Sequence, residues 1–183
     1  MSPATQGASA DDAASWSGEL VSRSGLKFHV RPVRPADEPA LRLFFDNVTP
    51  EDLRFRFLTT LKRVGHDRLR AMIDVDHRRS ETFIASVQVD GPIIAVAMLA
   101  CDEAMEIGEV AITLSPAFKS KGFGWELLRH ISRFAEANGI KMLQSLESRS
   151  NHAAIQLEQD FGFTAQTYPG DSTLVLVQKQ LSA

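Results

Sequence analysis

Apolar positions along the chain recur with two different periods, and the changes between them mark out the elements. Leu20 and Val21, a Ser24-Gly25 turn, and then Leu26, Phe28 and Val30 alternating with polar residues make residues 19–33 a hairpin. Asp37 stands where it can cap a helix whose Ala40, Leu41, Phe44 and Phe45 recur at helical spacing. Thr49-Pro50-Glu51-Asp52 opens another, with proline in its first turn. A third helix is expected around residues 67–73, carrying Leu69, Met72 and Ile73, and the charged run 74–81 reads as a loop. From Thr82 the period becomes two: residues 82–89 alternate, Asp90-Gly91 makes a hairpin turn, and residues 93–101 return as a buried strand. The next strand, 106–114, puts Val110, Ile112 and Leu114 on one face and Glu109, Ala111 and Thr113 on the other. Residues 122–138 form the clearest helix, with Leu127, Leu128, Ile131, Phe134 and Ala135 on one stripe and Gly139 placed to end it. A short strand at 141–146, a helix at 150–161 closed by Gly162, and a strand pair at 164–167 and 173–178 complete the pattern.

With 183 residues the chain fits one domain, expected over residues 19–183, and the mixed residues 1–18 read as a disordered N-terminal tail. A net charge of −3 gives no basic excess to neutralise a phosphate backbone, so no nucleic-acid partner is expected. No apolar run nears the roughly 20 residues of a bilayer span, so no membrane partner is expected either. The single cysteine, Cys101, excludes an internal disulfide and suits a reducing, cytoplasmic setting. The five histidines show no pair at ligand spacing and those on helices fall on polar faces, so no metal is expected. A homodimer is compatible with everything the sequence shows.

Chemistry concentrates in residues 114–124, Leu-Ser-Pro-Ala-Phe-Lys-Ser-Lys-Gly-Phe-Gly, between a strand and the long helix. The first turn of a helix leaves backbone N–H groups unpaired and carries about half a positive charge, so it can hold a phosphate. Glycines keep that backbone approachable, and Lys119 and Lys121 add positive charge. A solvated, glycine-relieved helix start is the plainer alternative. A P-loop is excluded because no window supplies Gly-x-x-x-x-Gly-Lys-Ser/Thr, and a dinucleotide fingerprint because Leu127 stands at the third glycine position.

The run Lys119-Ser120-Lys121-Gly122-Phe123-Gly124 resembles the Arg/Gln-x-x-Gly-x-Gly/Ala loop of the GNAT acetyltransferase superfamily, and Asn151 followed by Phe161-Gly162-Phe163 resembles its Asn…Gly-Phe segment. Residues 31–37, 49–53 and 108–111 are similar to bacterial protein lysine acetyltransferases of the Pat-like kind. The resemblance implies an α/β fold with a mixed, mostly antiparallel sheet of about six or seven strands flanked by helices. The central strand would bulge and splay from its neighbour. It further implies that Ile112, Thr113, Leu114, Lys119, Ser120, Lys121, Gly122, Phe123, Gly124 and Asn151 bind acetyl-CoA, the co-substrate, and that Glu109 is the general base.

The expected activity is direct acetyl transfer from acetyl-CoA to an amine, with a protein lysine first and a small-molecule amine or a non-catalytic acyl-CoA-binding module as alternatives. A lysine amine has a pKa near 10.4, so at pH 7 the neutral nucleophile is short by roughly 4.6 kcal/mol and a base is needed. A carboxylate of ordinary pKa is a weak base, so Glu109 is expected to sit partly buried inside a cleft with a raised pKa. Many relatives place a tyrosine acid four residues before the Gly-Phe glycine. Here that position is Glu158, read from the sequence as a solvated helix residue. Cys101, in an apolar strand, reads as inert core, and the run 54–57 reads either as the lining of an acceptor groove or, more plainly, as packed rings with solvated arginines.

Overall fold

The computed structural model describes residues 14–182. Its sheet has eight strands: β1 (Gly18–Val21), β2 (Lys27–Pro32), β3 (Ser80–Ser86), β4 (Ile93–Cys101), β5 (Ile107–Leu114), β6 (Met142–Ser148), β7 (Thr164–Thr167) and β8 (Leu174–Gln180). They lie in the order β1-β2-β3-β4-β5-β6-β8-β7. Every pairing is antiparallel except β5 with β6, which is parallel. The mixed, mostly antiparallel α/β sheet expected from the sequence is present, with both strands of the first hairpin and both of the last counted in it.

Among the described residues five α-helices cover the two faces. Three of them, α1 (Glu38–Asp46), α2 (Pro50–Phe57) and α3 (His66–Ile73), pack Leu41, Phe45, Leu53, Leu69 and Met72 against Ile84 and Val96. On the opposite face α4 (Phe123–Ala137) lays Leu127, Leu128, Ile131 and Phe134 on Phe83, Ala97, Leu99, Val110 and Leu143. The last helix, α5 (His152–Phe161), flanks α4 and contacts β7 and β8. Strand alternation explains the division: on β4 Val96 and Met98 face α1–α3 while Ala95, Ala97 and Leu99 face α4. Each large side chain so buried contributes about 1.5–3 kcal/mol.

Local signals end the helices where the sequence placed their caps. Thr49 Oγ1 accepts from Asp52 N at 3.2 Å at the start of α2, and Gly139 and Gly162 take positive φ after α4 and α5. Asp37 differs. It holds the N-cap position of α1, but its carboxylate is taken by both terminal nitrogens of Arg31, each at 2.8 Å, and by the Arg34 amide at 2.6 Å. It therefore ties β2 to the start of α1 instead of capping the helix.

Two sequence expectations are corrected in this region. The expected tail, residues 1–18, lies outside the described residues up to residue 13, but Trp16 packs edge-on against His130 and Phe134 of α4. His130, expected on a polar face, is buried: its Nε2 lies 3.2 Å from the Trp16 carbonyl and its ring meets Phe83. The polar pattern of α4 hid it because the face it occupies is closed from outside the helix, by the N-terminal segment.

Candidate active site

β5 and β6 pair only over Ile107–Glu109 and Met142–Gln144, after which β5 continues against β4 alone and β6 against β8. They splay as expected. The expected bulge is absent: β5 keeps an unbroken register with β4, and the irregularity in that part of the sheet falls at Ala85/Ser86 of β3. Where the strands part, a cleft of about 550 Å³ opens, a size suited to a sizeable organic ligand. It reaches both faces of the sheet, because its walls include Asp52, Phe55 and Arg56 of α2 as well as Gly124 and Trp125 of α4 and Leu157 of α5.

Nine of the residues singled out from the sequence line this cleft: Glu109, Ile112, Thr113, Leu114, Lys119, Ser120, Gly122, Gly124 and Asn151. Two do not. Phe123 is 1% exposed and packs edge-on to Phe28 and Phe118, so only its backbone is available to a ligand. Lys121 places Nζ 5.7 Å from the Phe118 ring, and its carbonyl accepts from Ser24 Oγ at 2.6 Å. Its aromatic neighbour draws it away from the cleft.

The loop before α4 is held in shape from a distance. Gly122, the N-cap of α4, has φ +83, and a Cβ there would lie 2.6 Å from the backbone N of Arg23 in the β1–β2 turn. Only glycine satisfies both the left-handed backbone and that close approach. The Arg23 guanidinium in turn stacks 4.0 Å over the Trp125 ring in the first turn of α4. Lys119 forms an ion pair with Asp52 of α2, Nζ to Oδ2 2.5 Å, linking the loop to the opposite wall.

Glu109 projects from β5 on the α1–α3 face, lining the cleft as expected, but its side chain is exposed rather than buried. Arg56 shares this side of the cleft, its Nη2 3.0 Å from Met98 Sδ, a weak acceptor. Burial lowers the Arg56 pKa, while Glu109 and Glu147 act against that change. The run 54–57 divides between its two readings: Phe55 and Arg56 line the cleft, while Phe57 packs against the α1–α3 core and Arg54 is exposed.

The largest departure from the sequence reading is Glu158. Expected in solvent, it is 8% exposed and faces the cleft from α5. Glu147 of β6 stands beside it, accepting from Ser145 Oγ at 2.6 Å and from Asn151 Nδ2 at 3.2 Å. Burial, and then the adjacent Glu147 charge, push the Glu158 carboxyl far above the usual carboxylate range. Asn151 Oδ1 meanwhile accepts from Ala154 N, capping α5. The seven-residue spacing from the helix cap Asn151 to Glu158 could have signalled an inward-facing position. Its partnership with Glu147 is a tertiary contact with no local signature. Cys101 is half-buried on β4, outside the cleft lining, and burial with nearby Asp102 pushes its thiol up to about 11. Among the described residues no three His, Cys, Asp or Glu side chains converge as a metal site, and no helix is long and apolar enough to cross a membrane.

Residues 48–163 match the Acetyltransferase (GNAT) family. A Pseudomonas aeruginosa protein named as an acetyltransferase is 32% identical over 149 residues, covering 80% of each chain. Among solved structures, the GNAT domain of S. lividans PAT superposes with a TM-score of 0.85 at 23% identity, over 92% of this chain and 98% of that one. The yncA acetyltransferase of Salmonella typhimurium, solved with acetyl-CoA, gives 0.66 at 20% identity over 85% and 94%. These structural likenesses carry the fold, and the sequence match over residues 48–163, which include both strands that part, carries the family. The chain belongs to the GNAT family of N-acetyltransferases.

Proposed function

We propose that the cleft binds acetyl-CoA with its diphosphate at residues 119–124 and transfers the acetyl group directly to the side-chain amine of a lysine in a protein. One observation carries this reading: a single opening through the sheet has a helix N-terminus with Lys119 at one end and the carboxylate of Glu109 on the far face. The thioester would lie along the unpaired edge of β5 beside Ile112 and Leu114, and the acceptor would approach past Phe55 and Arg56. The motif likeness to Pat-like enzymes supports a protein lysine as the acceptor.

In this mechanism Glu109 accepts a proton as the amine attacks the thioester carbonyl, and unpaired N–H groups of β5 beyond Glu109 stabilise the oxyanion. An exposed Glu109 becomes an effective base when the docked acceptor excludes water from it. The high thiol pKa of Cys101 and its place outside the cleft favour direct transfer over an acyl-enzyme.

Calorimetry with acetyl-CoA and acetylation assays on lysine peptides and small amines test the proposal. Glu109→Gln is expected to lower kcat by about 10²–10⁴-fold while acetyl-CoA binding stays unchanged. Full turnover in that variant would remove Glu109 from the mechanism. Activity confined to small amines would overturn the protein-lysine acceptor.

A further inference from the structure

Glu158 is out of place for a spectator residue. Its side chain is 8% exposed, and its Oε2 is buried without a hydrogen-bond partner, although it stands in the wall of a cleft. A carboxylate oxygen left without a donor in such a place costs several kcal/mol, and the cost falls sharply if the group keeps its proton. The arrangement of Glu147 supplies the reason to keep it. Ser145 and Asn151 both donate to Glu147, which fixes its charge, and the neighbouring carboxyl must then be the proton donor of the pair.

The geometry points to Glu147 and Glu158 as a carboxyl dyad that holds one proton at the cleft and gives it to the sulfur as the thioester breaks. Glu147 is the positioning member, and Glu158 is the group that meets the substrate. This rests on the acetyl-transfer reading of the cleft. As the amine nitrogen bonds to the carbonyl carbon and the C–S bond breaks, the electron pair leaves on sulfur and takes the Glu158 proton, giving the free thiol. Glu109 takes the proton that the nitrogen loses. Glu109 then releases its proton to water and Glu158 recovers one, so the cycle needs no further reactant.

The surroundings of the dyad let one titration be assigned to it. From β6 the only ionisable neighbour is Glu147, and β7 carries no ionisable residue. The cleft residues of α4, namely Gly124, Trp125 and Leu128, are uncharged. From β8, Lys179 is occupied over the Phe161 ring at 5.5 Å. On α5 itself Asp160 also lines the cleft and is exposed. Across the cleft Glu109 of β5, Asp52 and Arg56 of α2 and Lys119 of the loop before α4, itself paired with Asp52, complete the charged lining.

The test is the pH dependence of kcat in the wild type, Glu158→Gln and Glu147→Gln, alongside the infrared carbonyl band of a protonated carboxyl in each resting protein. The wild type should show that band at neutral pH and an alkaline fall in kcat. Glu158→Gln should lose both the band and the alkaline limb, with kcat reduced at least tenfold and acetyl-CoA affinity unchanged. Glu147→Gln removes the charge that holds the proton, so its alkaline limb should move to lower pH. If both variants merely lower Tm and keep the wild-type pH profile, or if the band is absent from the wild type, the dyad is overturned. If the wild type shows the band but neither binds acetyl-CoA nor acetylates any amine, the transfer reading fails and the catalytic role fails with it, while the shared proton stands.

Discussion

His130 shows how a single side chain sets a condition on the whole fold. Burial among Trp16, Phe83 and Phe134 pulls its pKa down from 6.5 to about 4, so the unfolded chain binds the proton more readily than the folded one. Stability is therefore expected to fall as pH drops from 6.5 through 4, by up to about 3 kcal/mol. Asp37 and Asp76, whose pKa values lie below the ordinary 3.8, lose their contribution in more acidic solution and are separable from it. Thermal melts across this range should show a flatter pH dependence for His130→Phe than for the wild type. A slope identical to wild type would place the acid sensitivity elsewhere. The same residue marks a limit of sequence reading, since the Trp16 that buries it lies far from it in sequence. Glu109 and Glu158 were each misjudged on exposure for a related reason. Strand alternation gave Glu109 the correct face, but whether a helix lies over that face is tertiary information.

At the scale of elements, periodicity located the eight strands and five α-helices of the described residues to within a few residues, because each buries one face and the pattern repeats inside the element itself. The loop before α4 was legible as a phosphate-binding candidate from its glycines, yet not the reason one of them is required. Gly122 meets the backbone of Arg23, carried there by the β1–β2 turn. Gly122→Ala is expected to cost about 2 kcal/mol from its left-handed φ of +83 alone, with more from the displaced hairpin. It should also weaken acetyl-CoA binding, because the amides proposed to hold the diphosphate move with that backbone. Calorimetry and a melt on the same variant measure both effects, and a wild-type Tm with unchanged affinity would refute the bracing role of the hairpin.

Across the whole molecule, the parting of β5 from β6 is what makes this fold a site. The strands pair for three residues and then separate, leaving one backbone edge of β5 without a strand partner beyond Glu109. Hydrogen exchange tests this directly. Gap-facing amides within 110–114 should exchange faster than those bonded to β4, and acetyl-CoA should slow them selectively. Uniform protection along β5 without ligand would mean the gap is closed in solution. From the sequence, the splay itself came only through the family likeness, since separation of two strands has no signature in either one.

Because the opening passes from one side of the sheet to the other, the acetyl-CoA and the lysine-bearing protein of the proposed reaction would enter by separate doors. Both can be in place together, so steady-state lines at varied concentrations of each should intersect rather than run parallel. Spent coenzyme can also depart while the modified chain is still docked, which would let a partner with several nearby lysines be marked more than once per encounter.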